Sequence, residues 1–175
     1  MTFALAEARQ ILAGTPDALR ATLGGLSESW LTADEGPGTW TPWQVLAHLT
    51  HIEEHDWIGR TEQILEHGAE QTLGPVDREA GFERFAGWSA GRVLDRFAGL
   101  RAANLATLDG YRFDERDLER QGRHADLGLV TLEQLLATWT VHDLNHESQI
   151  VKTLAKRYRD AIGPWREFLP VVDLP

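Results

Sequence analysis

The sequence predicts an all-α protein, a four-helix bundle with a short C-terminal helix. Three observations predict it. Apolar residues recur at helical spacing through four long stretches, and capping-box patterns at Thr41/Gln44 and Thr131/Gln134 open two of them. Across the chain, no strand alternation or internal repeat is convincing. At 175 residues the chain is long enough to bury a core and fits one domain spanning 1–175.

The first helix is predicted from about Phe3 to Leu26, where Leu5, Ala8, Leu12, Leu19, Leu23 and Leu26 share helical spacing. Gly14-Thr15-Pro16 predicts a break, with Thr15 capping a restart at Pro16. Residues 32–39, with Asp34, Gly36, Pro37 and Gly38, read as a loop. Thr41, Pro42 and Gln44 supply an N-cap, a first-turn proline and the glutamine of a capping box, so a second helix begins near Pro42. It is expected to run unbroken to about His67, where Gly68 ends it. After a link through Gly74-Pro75, the third helix is strongest from Ala90 to Leu108, on the apolar side of Val93, Leu94, Phe97, Leu100, Leu105 and Leu108. Its start reaches back toward Asp77 in pattern, against the weakening effect of Gly81, Gly87 and Gly91. Tyr111 to Val130 reads as irregular, and the fourth helix runs from Thr131 to near Tyr158. Beyond Gly163-Pro164, the apolar residues Trp165, Phe168 and Leu169 are expected to dock onto the bundle.

Composition narrows the function. Hydrophobic residues make up 42% and charged residues 25%, which is ordinary for a globular protein. A formal charge of −10 with scattered arginines opposes binding to a phosphate backbone, so no nucleic-acid partner is expected. The sequence shows no apolar run of membrane-spanning length and no signal-peptide pattern, which predicts a cytoplasmic protein with no membrane partner. With no cysteine, disulfides, thiol nucleophiles and thiolate metal sites are excluded, leaving histidine and carboxylate as ligands.

The histidines carry the chemistry. His142 and His146 are four residues apart in the fourth helix, about 40° around its axis, on a face shared with Leu132, Leu135, Leu136, Trp139, Ile150 and Leu154. Two neutral imidazoles on one helix face can chelate a divalent cation, or they can simply pack in the core. A third candidate is His48, set among Val45, Leu46, Leu49 and Ile52. His51 and His55 border the same side, and with Glu54 they are candidates for a general base or substrate contacts. Gln149 lies about 20° from His142 and can bond a ligand or a bound water. Asp143 or Glu147 can orient an imidazole by accepting its free N–H, the alternative being a solvated helix face. Trp43, Trp57, Trp88 and Trp139 are candidates to line an apolar pocket, with core packing as the default.

Over most of its length the chain resembles the DinB-like superfamily, with its YfiT-like metal-dependent members. The resemblance rests on Trp40-Thr41-Pro42-Trp43-Gln44-Val45-Leu46-Ala47-His48-Leu49, on Leu94-Asp95-Arg96-Phe97 through Leu108, on Gly128-Leu129-Val130-Thr131-Leu132, and above all on His142-Asp143-Leu144-Asn145-His146-Glu147-Ser148-Gln149-Ile150. It implies a four-helix bundle, often a homodimer, with His48, His142 and His146 holding zinc, nickel or a similar divalent ion. It also implies a small-molecule substrate. The family includes S-transferases that use bacillithiol or related low-molecular-weight thiols, and a mycothiol-dependent maleylpyruvate isomerase.

Such a site leaves a coordination position for water or a thiolate and lowers the pKa of either. Water activation gives a hydrolase and thiol activation a transferase, with any thiol arriving as a cosubstrate. The family precedent leans toward the transferase. The alternative is a noncatalytic, stress-related metal- or small-molecule-binding protein.

Overall fold

The structure, a computed structural model, describes residues 3–174. Four long rods form the bundle: α1 (Leu5–Leu23), a bent rod made of α3 (Pro42–His55) and α4 (Trp57–His67), α6 (Ala90–Tyr111), and α8 (Leu132–Lys156). Short helices α2 (Glu28–Leu31), α5 (Ala80–Arg84) and α7 (Glu115–Leu118) lie in the connections. Among the described residues, no helix is long and apolar enough to cross a membrane.

The rods are not packed in chain order. Both α1 and α3 pack against α6 and α8. The chain therefore passes from α1 to α3, and again from α6 to α8, by crossing the bundle between rods that are not close neighbours. This arrangement brings α3 beside α8, the two rods that carry the histidines.

The capping boxes form as predicted. Thr41 Oγ1 accepts from the Gln44 amide (3.2 Å), the Thr41 amide donates to Gln44 Oε1 (2.9 Å), and Thr131 and Gln134 repeat the pattern at α8. Four expectations are corrected. First, α1 does not break at Gly14-Thr15-Pro16. Proline lacks the N–H that would bond the Leu12 carbonyl, and that carbonyl accepts from Arg101 Nη1 instead (2.7 Å). Thr15 is buried rather than capping, with its hydroxyl directed to the Ile11 carbonyl and the Asp143 carboxylate. Second, the second rod is interrupted at Asp56, whose backbone (φ −111°, ψ −66°) departs from helical values and whose carboxylate pairs with Arg60 one turn on.

Third, the helix from Ala90 does not reach back to Asp77. Ser89 caps it, and Gly87 turns the chain with φ +76°. Fourth, the apolar residues after Gly163 do not dock: Trp165 and Phe168 are 69% and 70% exposed. Val172, in the second of two 3-10 turns (Gly163–Phe168 and Pro170–Asp173), is buried in their place.

A small sheet is also present, where the sequence suggests none. Strands β1 (Thr72–Leu73), β2 (Gln121–His124) and β3 (Gly128–Thr131) pair in that order, β1 parallel to β2 and β2 antiparallel to β3. Two to four residues per strand are too few to show an alternation of period two.

The core has two apolar clusters. One contains Leu12, Ile52, Trp57, Ile64, Leu73, Leu105 and Trp139, and the other contains Leu19, Val45, Leu46, Phe85, Leu94, Phe97 and Ile150. A buried ionic network joins the rods. Arg101, 1% exposed on α6, donates to both carboxylate oxygens of Glu53 on α3 (2.8 and 2.9 Å) and to Asp143 on α8 (2.6 and 3.1 Å). Trp139 Nε1 and Asn104 Nδ2 donate to Glu53, and Thr15 of α1 donates to Asp143. Removal of charge from water is offset here by paired, fork-shaped hydrogen bonds.

Candidate metal centre

Each candidate histidine is placed by its helix. His48 follows the capping box of α3 by four residues and sits 3% exposed among the apolar rows of that helix. On α8, four-residue spacing puts His142 and His146 one turn apart, with His146 at 5% exposure. Because α3 packs on α8, the three rings meet. Their centroids lie 5.3 Å (His48–His142), 4.8 Å (His48–His146) and 4.4 Å (His142–His146) apart. One nitrogen from each ring lies within 4.8 Å of the other two.

Hydrogen bonds set two of the tautomers. His48 Nδ1–H donates to the Arg78 carbonyl (2.8 Å), and His146 Nδ1–H donates to Gln149 Oε1 (2.9 Å). The remaining Nε2 of each of these two rings thus carries a lone pair. Burial pushes the His48 imidazole down to about 4 and His142 to about 3, and it lowers His146, so all three are neutral near pH 7. His48 Nε2 and His142 Nε2 approach to 3.2 Å. Two nitrogens bound to one tetrahedral ion at about 2.0–2.1 Å would be about 3.3–3.4 Å apart, so this pair already has the separation that a shared cation needs. The donor set of three neutral imidazoles fits a borderline divalent ion. His142 differs from the other two: its Nδ1 is buried with no hydrogen-bond partner among the described residues.

The trio opens on a cavity of about 790 Å³. Trp40 flanks it on one side, stacked nearly parallel to His146 (6.2 Å between centroids) and tilted on His48 (4.9 Å). Trp57 flanks it on the other, edge-on to His142 (5.3 Å). Gln149 also lines the cavity.

The structure sorts the other candidate residues. Gln149 does bond a histidine of the trio, as its position on α8 suggests. Asp143 orients no imidazole and faces no solvent; it is fully buried on Arg101. Glu147 is half-buried and forms no hydrogen bond to a ring, and burial raises its pKa. His51, Glu54 and His55 are not brought to the trio and do not line the cavity. His51 backs onto Gly81 of α5, Arg84 donates to His55 Nε2 (2.7 Å), and Arg84 and Arg96 both hold Glu54. Of the four tryptophans singled out, Trp57 lines the cavity while belonging to the core, and Trp139 is fully buried and stacked on Trp57. Trp43 and Trp88 pack against the second core cluster. Sequence reasoning missed Trp40 and Arg78 as cavity residues, and Glu53 and Arg101 as the partners of Asp143. Trp40 had a signal, since an apolar residue just ahead of the Thr41 cap packs back on its helix.

A helical bundle with a largely buried histidine trio facing a cavity is the class that this fold and site define. The chain belongs to the DinB superfamily, whose family model matches residues 11–150. Among solved structures it is similar to YfiT from Bacillus subtilis, described as a probable metal-dependent hydrolase with an unusual four-helix bundle topology. That likeness has a TM-score of 0.76 at 22% identity and covers 89% of this chain and 90% of that one. It is also similar to TT2238, a four-helix bundle protein, with a TM-score of 0.56 at 22% identity over 85% of this chain and 98% of that one. At such identities the likeness is one of fold. No curated protein matches the chain.

Proposed function

We propose that His48, His142 and His146 hold one divalent cation and that the protein is a metal-dependent hydrolase of a small molecule. The observation that carries this reading is the convergence of three neutral imidazole nitrogens, from two different rods, within 4.8 Å of one another beside a cavity. The kinship to a structure described as a probable metal-dependent hydrolase supports it. A cation bound by three neutral ligands keeps its full charge, and so supplies Lewis acidity and a water of lowered pKa.

The chain's own residues do the rest. The Arg78 carbonyl and Gln149 fix which nitrogens of His48 and His146 face inward, the role that partners of metal-bound imidazoles play in general. Trp40 and Trp57 restrict the rings from either side and shield them from bulk water.

The test is elemental analysis of protein purified without a histidine tag, alongside hydrolysis of an ester and amide panel with and without an added low-molecular-weight thiol. One equivalent of zinc, nickel or another divalent ion is expected in the wild type and less than a tenth as much affinity in His146→Ala, with turnover lost on chelation. Wild-type protein that takes up no stoichiometric metal after chelation and reloading would sink the reading. Turnover that requires the thiol would replace water with a thiolate as nucleophile and make the protein a transferase.

A further inference from the structure

We infer that the cavity takes a small amphipathic carboxylate, its anionic group held by Arg78 and its apolar part lying against Trp57, Leu73, Val76 and Leu135. As a statement about substrate this rests on the metal-centre reading above, while the binding itself is separately measurable. Two unlike walls of the cavity meet at the histidine trio, Trp57 beside His142 and Trp40 beside His48 and His146. On the Trp57 side the wall belongs to the first core cluster, with Leu73, Leu135 and the partly buried Val76 beside it. On the Trp40 side the wall is aromatic and cationic: the Arg78 guanidinium lies over the Trp40 ring, 5.2 Å from its centroid.

Arg78 is distinguished by what it lacks. The partly buried acidic and basic side chains of the cavity wall are already matched: Glu35 binds Lys152 and Lys156 (3.4 and 2.6 Å), and Asp56 pairs with Arg60. Arg78, itself exposed, lines the same cavity, yet among the described residues it forms no ion pair and its side chain makes no hydrogen bond. Glu79, its exposed neighbour, does not pair with it either. The cation–π contact with Trp40 restrains the guanidinium without using its N–H donors. Trp40 in turn packs on His48 and His146, so this cation stands one ring away from the trio. A fork of donors beside a metal centre, with its own protein carboxylate missing, fits a planar carboxylate on the ligand. The apolar half then sets the rest of the molecule, and the bond to be cleaved would lie between the two, at the histidines.

Calorimetric titration of the full chain with hexanoate, hexanamide and acetate tests this, on zinc-treated and metal-stripped protein, in wild type and Arg78→Gln. The metal-stripped arm is decisive, because there a carboxylate has no cation to bind directly. Hexanoate is expected to bind wild type about tenfold more tightly than either hexanamide or acetate. Arg78→Gln is expected to lose the preference for hexanoate over hexanamide while binding hexanamide as before. Its zinc content is expected to stay that of the wild type, because the backbone carbonyl that orients His48 is retained. Equal affinity for hexanoate and hexanamide in stripped wild type, or a preference that survives in stripped Arg78→Gln, overturns the inference. Absence of zinc uptake with the hexanoate preference intact would instead overturn the metal centre and leave the carboxylate site standing.

Discussion

Among the described residues Gln149 bonds the histidine trio only at His146, so its removal tests orientation apart from ligation. Gln149→Ala is expected to weaken metal binding by about 10- to 100-fold with little change in fold, measured by competition with a chelator. Protonation gives a second residue-scale prediction. Burial holds His48 at about 4, against 6.5 for an unburied imidazole. Above pH 6.5 neither the folded nor the unfolded state protonates it. Between 6.5 and about 4 the unfolded chain binds a proton that the folded one refuses, so metal-free protein loses stability as pH falls through this window. For His48 alone the loss is on the order of 3 kcal/mol. Urea titrations of stripped wild type and His48→Gln at pH 7.5 and 4.5 measure it, and equal pH dependence in the two would refute it. The ligand candidates were legible in the sequence because an imidazole on an apolar helix row is a conspicuous misfit. Arg78 was not, because it lies on a connection whose path no periodicity predicts.

Elements were legible where their ends carry side-chain signals. The capping boxes at Thr41 and Thr131 place two helix starts to the residue. They were illegible where long-range contacts override the local rule: Pro16 stays inside α1, where Arg101, on another rod and 89 positions from Leu12, uses the Leu12 carbonyl that the proline leaves free. Short α5 is held against α3 by a similar non-local constraint. A methyl group on Gly81 would stand 2.4 Å from the Ala47 carbonyl oxygen and 3.0 Å from His51 Cβ. Gly81→Ala must therefore push α5 away from the histidine-bearing helix, at an expected cost of about 1–3 kcal/mol in urea-induced unfolding. Wild-type stability in this variant would show that the approach is looser than described.

At the scale of the whole molecule, the buried Glu53–Arg101–Asp143 network ties three rods together, with Thr15 adding the fourth. Arg101→Met strands two buried carboxylates and is expected to cost about 3–5 kcal/mol, whereas replacing all three charged residues with apolar ones of similar volume is expected to recover most of that loss. Thermal unfolding of the single and triple variants checks both, and a triple variant no better than the single would count against the ionic origin of the cost. The network had a sequence signal: Glu53 falls on the row of Leu46 and Leu49, Arg101 on that of Leu94 and Phe97, and Asp143 on that of Leu136 and Trp139. Charges of both signs on core rows of three helices call for pairing, although pairing alone does not say which helices touch.

The crossing of the bundle between non-adjacent rods has a consequence for how such proteins diversify. The histidines stand on long helices whose packing tolerates little change, but much of the cavity wall comes from the three connections. Glu35 and Trp40 precede α3, Leu73 and Arg78 precede α6, and His124, Leu127 and Val130 precede α8. Connections accept substitutions and length changes far more readily than packed rods do. With the proposed metal centre, the architecture separates the rods that would hold the cation from the linkers that would select a molecule, so a change of linker is expected to alter which molecule fits while the scaffold stays as it is.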